Sequence, residues 1–344
     1  MMMPVSPTQD PSLRAYLDGL VEEAANSSGQ RARQRILSWC FLALFRWYEE
    51  RAIRKRNWSP DASFDWTEGV LDHNEDFSRL VVGFFAVEQY APDYTAELCR
   101  LVRDNYGQSQ FQLRWGMEES RHAGLWRNVI SSREIMAPGE LDEYAVDLRK
   151  RSWTPPHDTP LSMLIYTVFQ ERATQITYNN FLRYLNPPER SAESGNQPDP
   201  KLLGPVRAII ADEVAHFHFF LEGARIYLAL YPDETLETIR DVVETFEMPG
   251  VELVPEYDLY AETIYRNRIF SRLQHGRSVV RFVLESLRVP KSKKRDTAVS
   301  ASVTETPLDR HAPLGFLSPP DPEILRSLVE RFSLREAAAL LPAS

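Results

Sequence analysis

Cysteine is nearly absent from this chain of 344 residues, which has only Cys40 and Cys99. Two cysteines exclude a disulfide framework and any cysteine-rich zinc or iron–sulfur site. Their apolar neighbours mark them as buried free thiols. Glycine is sparse at 14 residues, and the alternating β-branched runs with paired turn residues that announce hairpins are missing, which argues against a β-rich fold. Long apolar runs are missing as well. The most apolar stretch, residues 36–48, is interrupted by Arg46 and is shorter than the about 20 residues a bilayer-spanning helix needs, so no membrane span is expected. Positive charge is not in excess: 40 Lys and Arg against 49 Asp and Glu give a net charge of −9, a poor balance for binding nucleic acid. Residues 1–12 carry no basic region followed by an apolar run. The expectation is a cytoplasmic protein in a reducing compartment.

What is present is an ordinary globular balance, 43% hydrophobic and 26% charged, on a chain long enough for a large core. Helical periodicity dominates to residue 288. It predicts helices over 11–25, 31–56, 76–105, 109–131, 140–150, 160–185, 199–230, 232–247, 256–270 and 271–288, with Pro92 kinking or breaking the third. Composition makes 185–200 an exposed loop. The expected organisation is an N-terminal arm and short helix over 1–30 and a helical domain over 31–288. A Ser/Thr/Pro-rich disordered linker over 289–320 and a short amphipathic helix over 321–344 would follow.

Two of the predicted helices carry the same pattern, Glu119-Ser120-Arg121-His122 and Glu213-Val214-Ala215-His216. Residues i and i+3 of a helix share a face, so each pair aims a carboxylate and an imidazole at one point. That donor mixture suits iron or manganese. Two such pairs among seven histidines arise by chance roughly one time in ten, so the doublet needs support. It comes from two further helices, each with one glutamate in an apolar run: Glu88 after Val81-Val82-Gly83-Phe84-Phe85-Ala86-Val87, and Glu171 after Leu164-Ile165-Tyr166-Thr167-Val168-Phe169-Gln170. Carboxylates are rarely buried unless paired or metal-bound. The order Glu, E-x-x-H, Glu, E-x-x-H on four helices is the ligand set of a carboxylate-bridged dimetal site in a four-helix bundle. Four glutamates and two neutral histidines balance two Fe(II) ions, so two iron ions are the expected cofactor.

These motifs resemble those of the soluble acyl-acyl-carrier-protein desaturases over residues 57–288. The run from Arg114 to His122, R-W-G-M-E-E-S-R-H, is similar to the family's R-W-T-A-E-E-N-R-H. Gln170-Glu171-Arg172-Ala173-Thr174 resembles its [QE]-E-x-A-T, Ala211-Asp212-Glu213 with His216 its A-D-E-x-x-H, and Phe246-Glu247-Met248-Pro249-Gly250 its F-x-M-P-G. The resemblance implies an all-α, ferritin-like four-helix bundle with flanking helices. The implied activity is O2-dependent desaturation of a saturated acyl chain held as a thioester on acyl carrier protein. It further implies a ferredoxin-like electron donor and a homodimer. It places Trp58 with Asp212 and His122 on an electron path, and Thr174 near the oxygen-binding face. Glu88, Glu119, His122, Glu171, Glu213 and His216 become the metal ligands.

The chain departs from the pattern at Gly116, Met117 and Ser120, and around Glu88. Oxygenases that hydroxylate or N-oxygenate a carrier-bound substrate therefore stay open, as does a non-catalytic iron-binding scaffold. A ribonucleotide reductase subunit would need tyrosine four residues after His122, where this chain has Trp126, and ferritins are about half this length. Glu118 and Asp212, each preceding a ligand glutamate, are expected to face off the metal axis, and His218 to point away from it. Arg51, Arg54, Lys55 and Arg56 read as a solvated helix end, with docking of an acidic carrier protein as the other reading.

Overall fold

The computed structural model describes residues 6–26, 29–67, 69–187, 198–251 and 253–287. The expected linker and C-terminal amphipathic helix, and most of the expected loop over 185–200, lie outside them. Among the described residues every regular element is helical: α1 (Pro11–Ala25), α2 (Gln30–Lys55), α3 (Glu75–Glu88), α4 (Ala91–Leu101), α5 (Tyr106–Ser132), α6 (Pro138–Leu148), α7 (Pro160–Leu185), α8 (Leu203–Leu230), α9 (Pro232–Thr245) and α10 (Tyr257–Arg266). A short α11 (Arg272–Gln274) continues through a π-helical turn (His275–Val280) into α12 (Arg281–Ser286).

Local chemistry sets the helix starts. Asp10, Asn74, Asn105 and Thr159 each accept a hydrogen bond from a backbone N–H of the first turn that follows. Proline stands in the first turn of α1, α4, α6, α7 and α9, where its missing N–H costs nothing. Pro92 is one of these. The helix expected over 76–105 is two helices: α3 stops at Glu88, and Pro92 opens α4 rather than kinking a continuous helix.

Helices α3, α5, α7 and α8 form the central bundle. α3 lies on α5, α7 on α8, and α5 reaches α8, while α2 covers both α5 and α8 and α4 wedges against α5. α8 is apolar on nearly every face and buried along its length, as a helix at the centre of a large core must be. Two close approaches require glycine. A Cβ on Gly107 would stand 2.3 Å from the backbone of Phe41 and Leu42, so α5 and α2 touch main chain to main chain. A Cβ on Gly116 would stand 1.9 Å from Thr95 Oγ1 of α4. Gly116 is one of the departures from the family motif, and the Thr95 side chain occupies the vacated space. No helix among the described residues is long and apolar enough to cross a membrane.

Candidate metal centre

The four bundle helices bring all six expected ligand residues to one place. Glu88 is the last residue of α3, Glu119 and His122 lie mid-way along α5, Glu171 lies in α7, and Glu213 and His216 lie in α8. All six are at most 6% exposed. Their donor atoms fall into two groups, Glu88–Glu119–His122–Glu213 and Glu119–Glu171–Glu213–His216, each with its atoms within 4.8 Å of one another. Glu119 and Glu213 belong to both. His122 Nδ1 lies 3.4 Å from Glu119 Oε2 and 3.3 Å from Glu213 Oε1, and His216 Nδ1 lies 3.0 Å from Glu119 Oε1 and 3.5 Å from Glu171 Oε2.

The donor set is incomplete without cations. Glu119 Oε1, Glu171 Oε2, both carboxylate oxygens of Glu213, and Nδ1 of His122 and of His216 are buried without a hydrogen-bond partner. Buried polar atoms are seldom left unpaired, and here they converge on two adjacent points. Hard carboxylate oxygen with imidazole nitrogen fits a pair of first-row divalent ions. Without them, protons must hold the cluster together. Burial, and then the charge of Glu119, push Glu88 up to about 8. Burial, Glu119 and Glu171 raise Glu213 well above the ordinary carboxyl range. Burial works to lower both imidazoles, but the surrounding carboxylates outweigh it and raise His122 and His216.

A second layer holds the ligands. The two acids that precede the ligand glutamates act crosswise: Glu118 of α5 meets His216 Nε2 of α8 at 3.0 Å, and Asp212 of α8 faces His122 Nε2 of α5 at 3.4 Å. Each imidazole thus has a carboxylate behind it, hydrogen-bonded in the case of His216, and turns Nδ1 inward. Glu118 and Asp212 do face off the metal axis, but toward the other helix's histidine rather than toward water. A single sequence line hides such a cross-helix pairing; the repeated acid-Glu-x-x-His pattern was its trace. The Arg56 guanidinium lies between them, 2.9 Å from Asp212 and 3.4 Å from Glu118, and is 4% exposed. This corrects the reading of the cationic run at the end of α2. Arg56 is buried charge compensation, while Arg51 pairs with Asp10 at 2.6 Å and Arg54 with Glu50 at 3.0 Å. Arg121 adds a second cation, 3.3 Å from Asp212.

Aromatic donors fix the two unshared glutamates. Trp115 Nε1 donates to Glu171 Oε1 at 2.8 Å, and the Tyr178 hydroxyl donates to Glu88 Oε1. Trp58 Nε1 donates to Asp212 Oδ2 at 2.9 Å, and its ring lies parallel to that of His122, 6.1 Å away. Trp58, Asp212 and His122 are therefore contiguous, with Trp58 half-buried at the outer end. Thr174 donates to the Gln170 carbonyl at 3.1 Å and borders a cavity. His218 lies outside the cluster, and burial with the nearby Arg225 and Arg172 pushes it down to about 4.

That cavity, partly open to solvent, runs along Glu88 and Glu119 between Trp115, Met163, Thr174 and Met248. A second shares Val87, Glu88, Thr174, Met248 and Pro249 with it and lies toward Tyr257 and Tyr260. The two are mostly apolar and share a wall beside Glu88. Met248 and Pro249 of the F-x-M-P-G motif line both.

Residues 56–302 match the family described as fatty acid desaturase. A Mycobacterium tuberculosis protein provisionally named acyl-[acyl-carrier-protein] desaturase DesA1 is 24% identical over 254 residues, 67% of this chain and 71% of that one. The seed-specific chloroplastic stearoyl-[acyl-carrier-protein] 9-desaturase of Brassica napus is 27% identical over 218 residues, 58% of this chain and 52% of that protein. The X-ray structure of M. tuberculosis DesA2, provisionally named an acyl-ACP desaturase, superposes with a TM-score of 0.50 at 19% identity, covering 73% of this chain and 94% of that one. That likeness speaks to the fold.

Proposed function

The chain belongs to the family of acyl-[acyl-carrier-protein] fatty acid desaturases, and from that premise we propose that it uses O2 to insert a double bond into a saturated acyl chain carried on acyl carrier protein. The observation that carries the reading is the pair of four-residue groups sharing Glu119 and Glu213, with Glu88 and Glu119 in the wall of a mostly apolar cavity. Glu88, Glu119 and His122 would hold one iron and Glu171, Glu213 and His216 the other, with Glu119 and Glu213 shared. Two ferrous ions, when bound, supply the reduction of O2 and the oxidising power to take hydrogen from unactivated C–H bonds. The four ligand carboxylates balance those ions, while Arg56 and Arg121 separately compensate Glu118 and Asp212. The cavity walls would keep the acyl chain extended past Glu88 and exclude water from the reacting carbons. Trp58, Asp212 and His122 would carry electrons inward from a ferredoxin-like donor, and Thr174 would face the reacting end of the cavity.

Mass spectrometry of acyl-carrier-protein products tests the reading. Aerobic incubation of the iron-loaded protein with reductant should yield species lighter by two hydrogens. Hydroxylated product alone would replace desaturation with oxygenation at the same centre. No O2 uptake and no product would favour a non-catalytic iron-binding scaffold.

A further inference from the structure

The Tyr178 hydroxyl is the one tyrosine oxygen, among the described residues, with a hydrogen bond to a proposed ligand: it donates to Glu88 Oε1. On its other side it accepts a hydrogen bond from Trp126 Nε1 at 3.2 Å, and the two rings lie near parallel, 5.7 Å apart. Both residues are at most 2% exposed. Phe181 packs on Trp126 with centroids 5.7 Å apart, and Tyr184 stacks on Phe181 at the same separation and is half-buried. Tyr178 lies two turns after Glu171 on α7, and Trp126 one turn after His122 on α5, so the helices that carry ligands also carry this pair. Burial accounts for a partner on this hydroxyl; what sets it apart is that its partners are a carboxylate of the cluster and an indole N–H. The hydroxyl joins the two most readily oxidised side chains of proteins, in series, to a metal-binding carboxylate.

We propose that Tyr178 and Trp126 form a redox-active pair that discharges the centre when it has reacted with O2 and no acyl chain occupies the cavity. The inference rests on the function proposed above. In productive turnover the acyl chain gives up two hydrogens, and with them two electrons. With the cavity empty, the oxidised site has only its own walls to attack, among them Met163 and Met248. In the proposed step the Tyr178 O–H bond breaks. Its electron reduces the O2-oxidised site by one equivalent, and its proton crosses the existing hydrogen bond to Glu88 Oε1. A neutral tyrosyl radical remains, held by the Trp126 N–H. One electron from the external reductant, arriving by way of Trp126, and the proton stored on Glu88 then restore the phenol.

The test mixes dithionite-reduced, iron-loaded protein with O2 in the absence of acyl substrate and records O2 uptake and the electron paramagnetic resonance spectrum. A tyrosyl signal should form, narrow in protein grown with ring-deuterated tyrosine, and vanish in Tyr178→Phe with iron content retained. O2 uptake without a tyrosyl signal, or a signal that survives in Tyr178→Phe, would overturn the proposal and leave the function reading standing. No O2 uptake by the wild-type protein would overturn both. If Tyr178→Phe fails to fold or to hold iron, Trp126→Phe decides. Loss of the Trp126 N–H should shift the high-field g values of the radical toward those of an unbonded tyrosyl and lengthen its lifetime. Unchanged g values and lifetime would place the radical elsewhere and overturn the assignment.

Discussion

Glu118 meets His216 and Trp58 lies against the His122 ring, and different losses are expected from each. Removing the Glu118 carboxylate frees His216 Nε2 and leaves Arg56 with one acid fewer in a buried site. Groups that back a metal-binding histidine are typically worth about 10- to 100-fold in metal affinity. Glu118→Gln should therefore weaken iron binding by that order, read by competition with a chelator, while His218→Ala should leave it unchanged. Trp58 touches Asp212 and the His122 ring but supplies no donor to the cluster. Trp58→Phe should keep iron content and fold, slow turnover driven by a protein electron donor, and spare single-turnover chemistry of pre-reduced protein. Equal loss in both assays would make Trp58 a packing residue. The sequence exposed the six cluster residues because buried acids in apolar helices violate a strong rule. Arg56, Glu118, Tyr178 and Trp126 obeyed every local rule: an arginine in a basic run, an acid beside an acid, aromatics in apolar helices. Their partners lie 52 to 156 positions away, so only the folded chain reveals them.

At the scale of elements, periodicity located the helices well, and the misses have local causes. Pro92 signalled a kink or a break, and the break is found: proline is tolerated in a first turn, so the chain restarts as α4. The interruption leaves Glu88 at a helix end, where its side chain reaches both cavities. The π-turn at His275–Val280 left no mark in the composition, because one inserted residue barely disturbs apolar spacing. One inter-element anchor carries a pH prediction. Asp199, just before α8, is buried against Arg133 at the end of α5 and against His73, at 2.8 and 3.3 Å. Burial works to raise its carboxyl, but the hydrogen bonds from His73 and Arg133 outweigh it and hold the group down at about 2, against an ordinary 3.8. The folded state therefore gains stability from this carboxylate above about pH 4, and loses it as pH falls toward about 2. Asp199→Asn should leave Arg133 buried without its counter-charge, costing about 3–5 kcal/mol at neutral pH. It should also flatten the acid limb of the melting-temperature profile. A variant with the wild-type acid limb would show that Asp199 contributes nothing to it.

For the whole molecule, the bundle and the metal ions it would hold depend on each other. Six buried ionisable side chains meet at the centre of a largely apolar core, and no local interaction among them satisfies all their lone pairs. Bound cations would do so, and binding to the native state alone stabilises it, by about 4 kcal/mol when free metal exceeds its dissociation constant about a thousandfold. Protons are the substitute in the stripped protein. Glu88, raised to about 8, and Glu213, raised as well, bind protons in the folded state that the unfolded chain releases near an ordinary 4.5. His122 and His216 are shifted in the same direction. For groups raised in this way, the stabilisation is complete below the unfolded pKa and is lost as pH climbs through the folded one. The metal-free protein should thus melt progressively lower between about pH 5 and about pH 9. The iron-loaded protein, whose carboxylates no longer need protons, should hold its melting temperature across the same range. The gap between the two forms widens with pH, and differential scanning calorimetry of anaerobically loaded and chelated samples measures it directly. A constant gap would mean that protons do not replace the ions in the stripped cluster. No gap at any pH would mean that the cluster takes up no ions, and the dimetal assignment would fall with it.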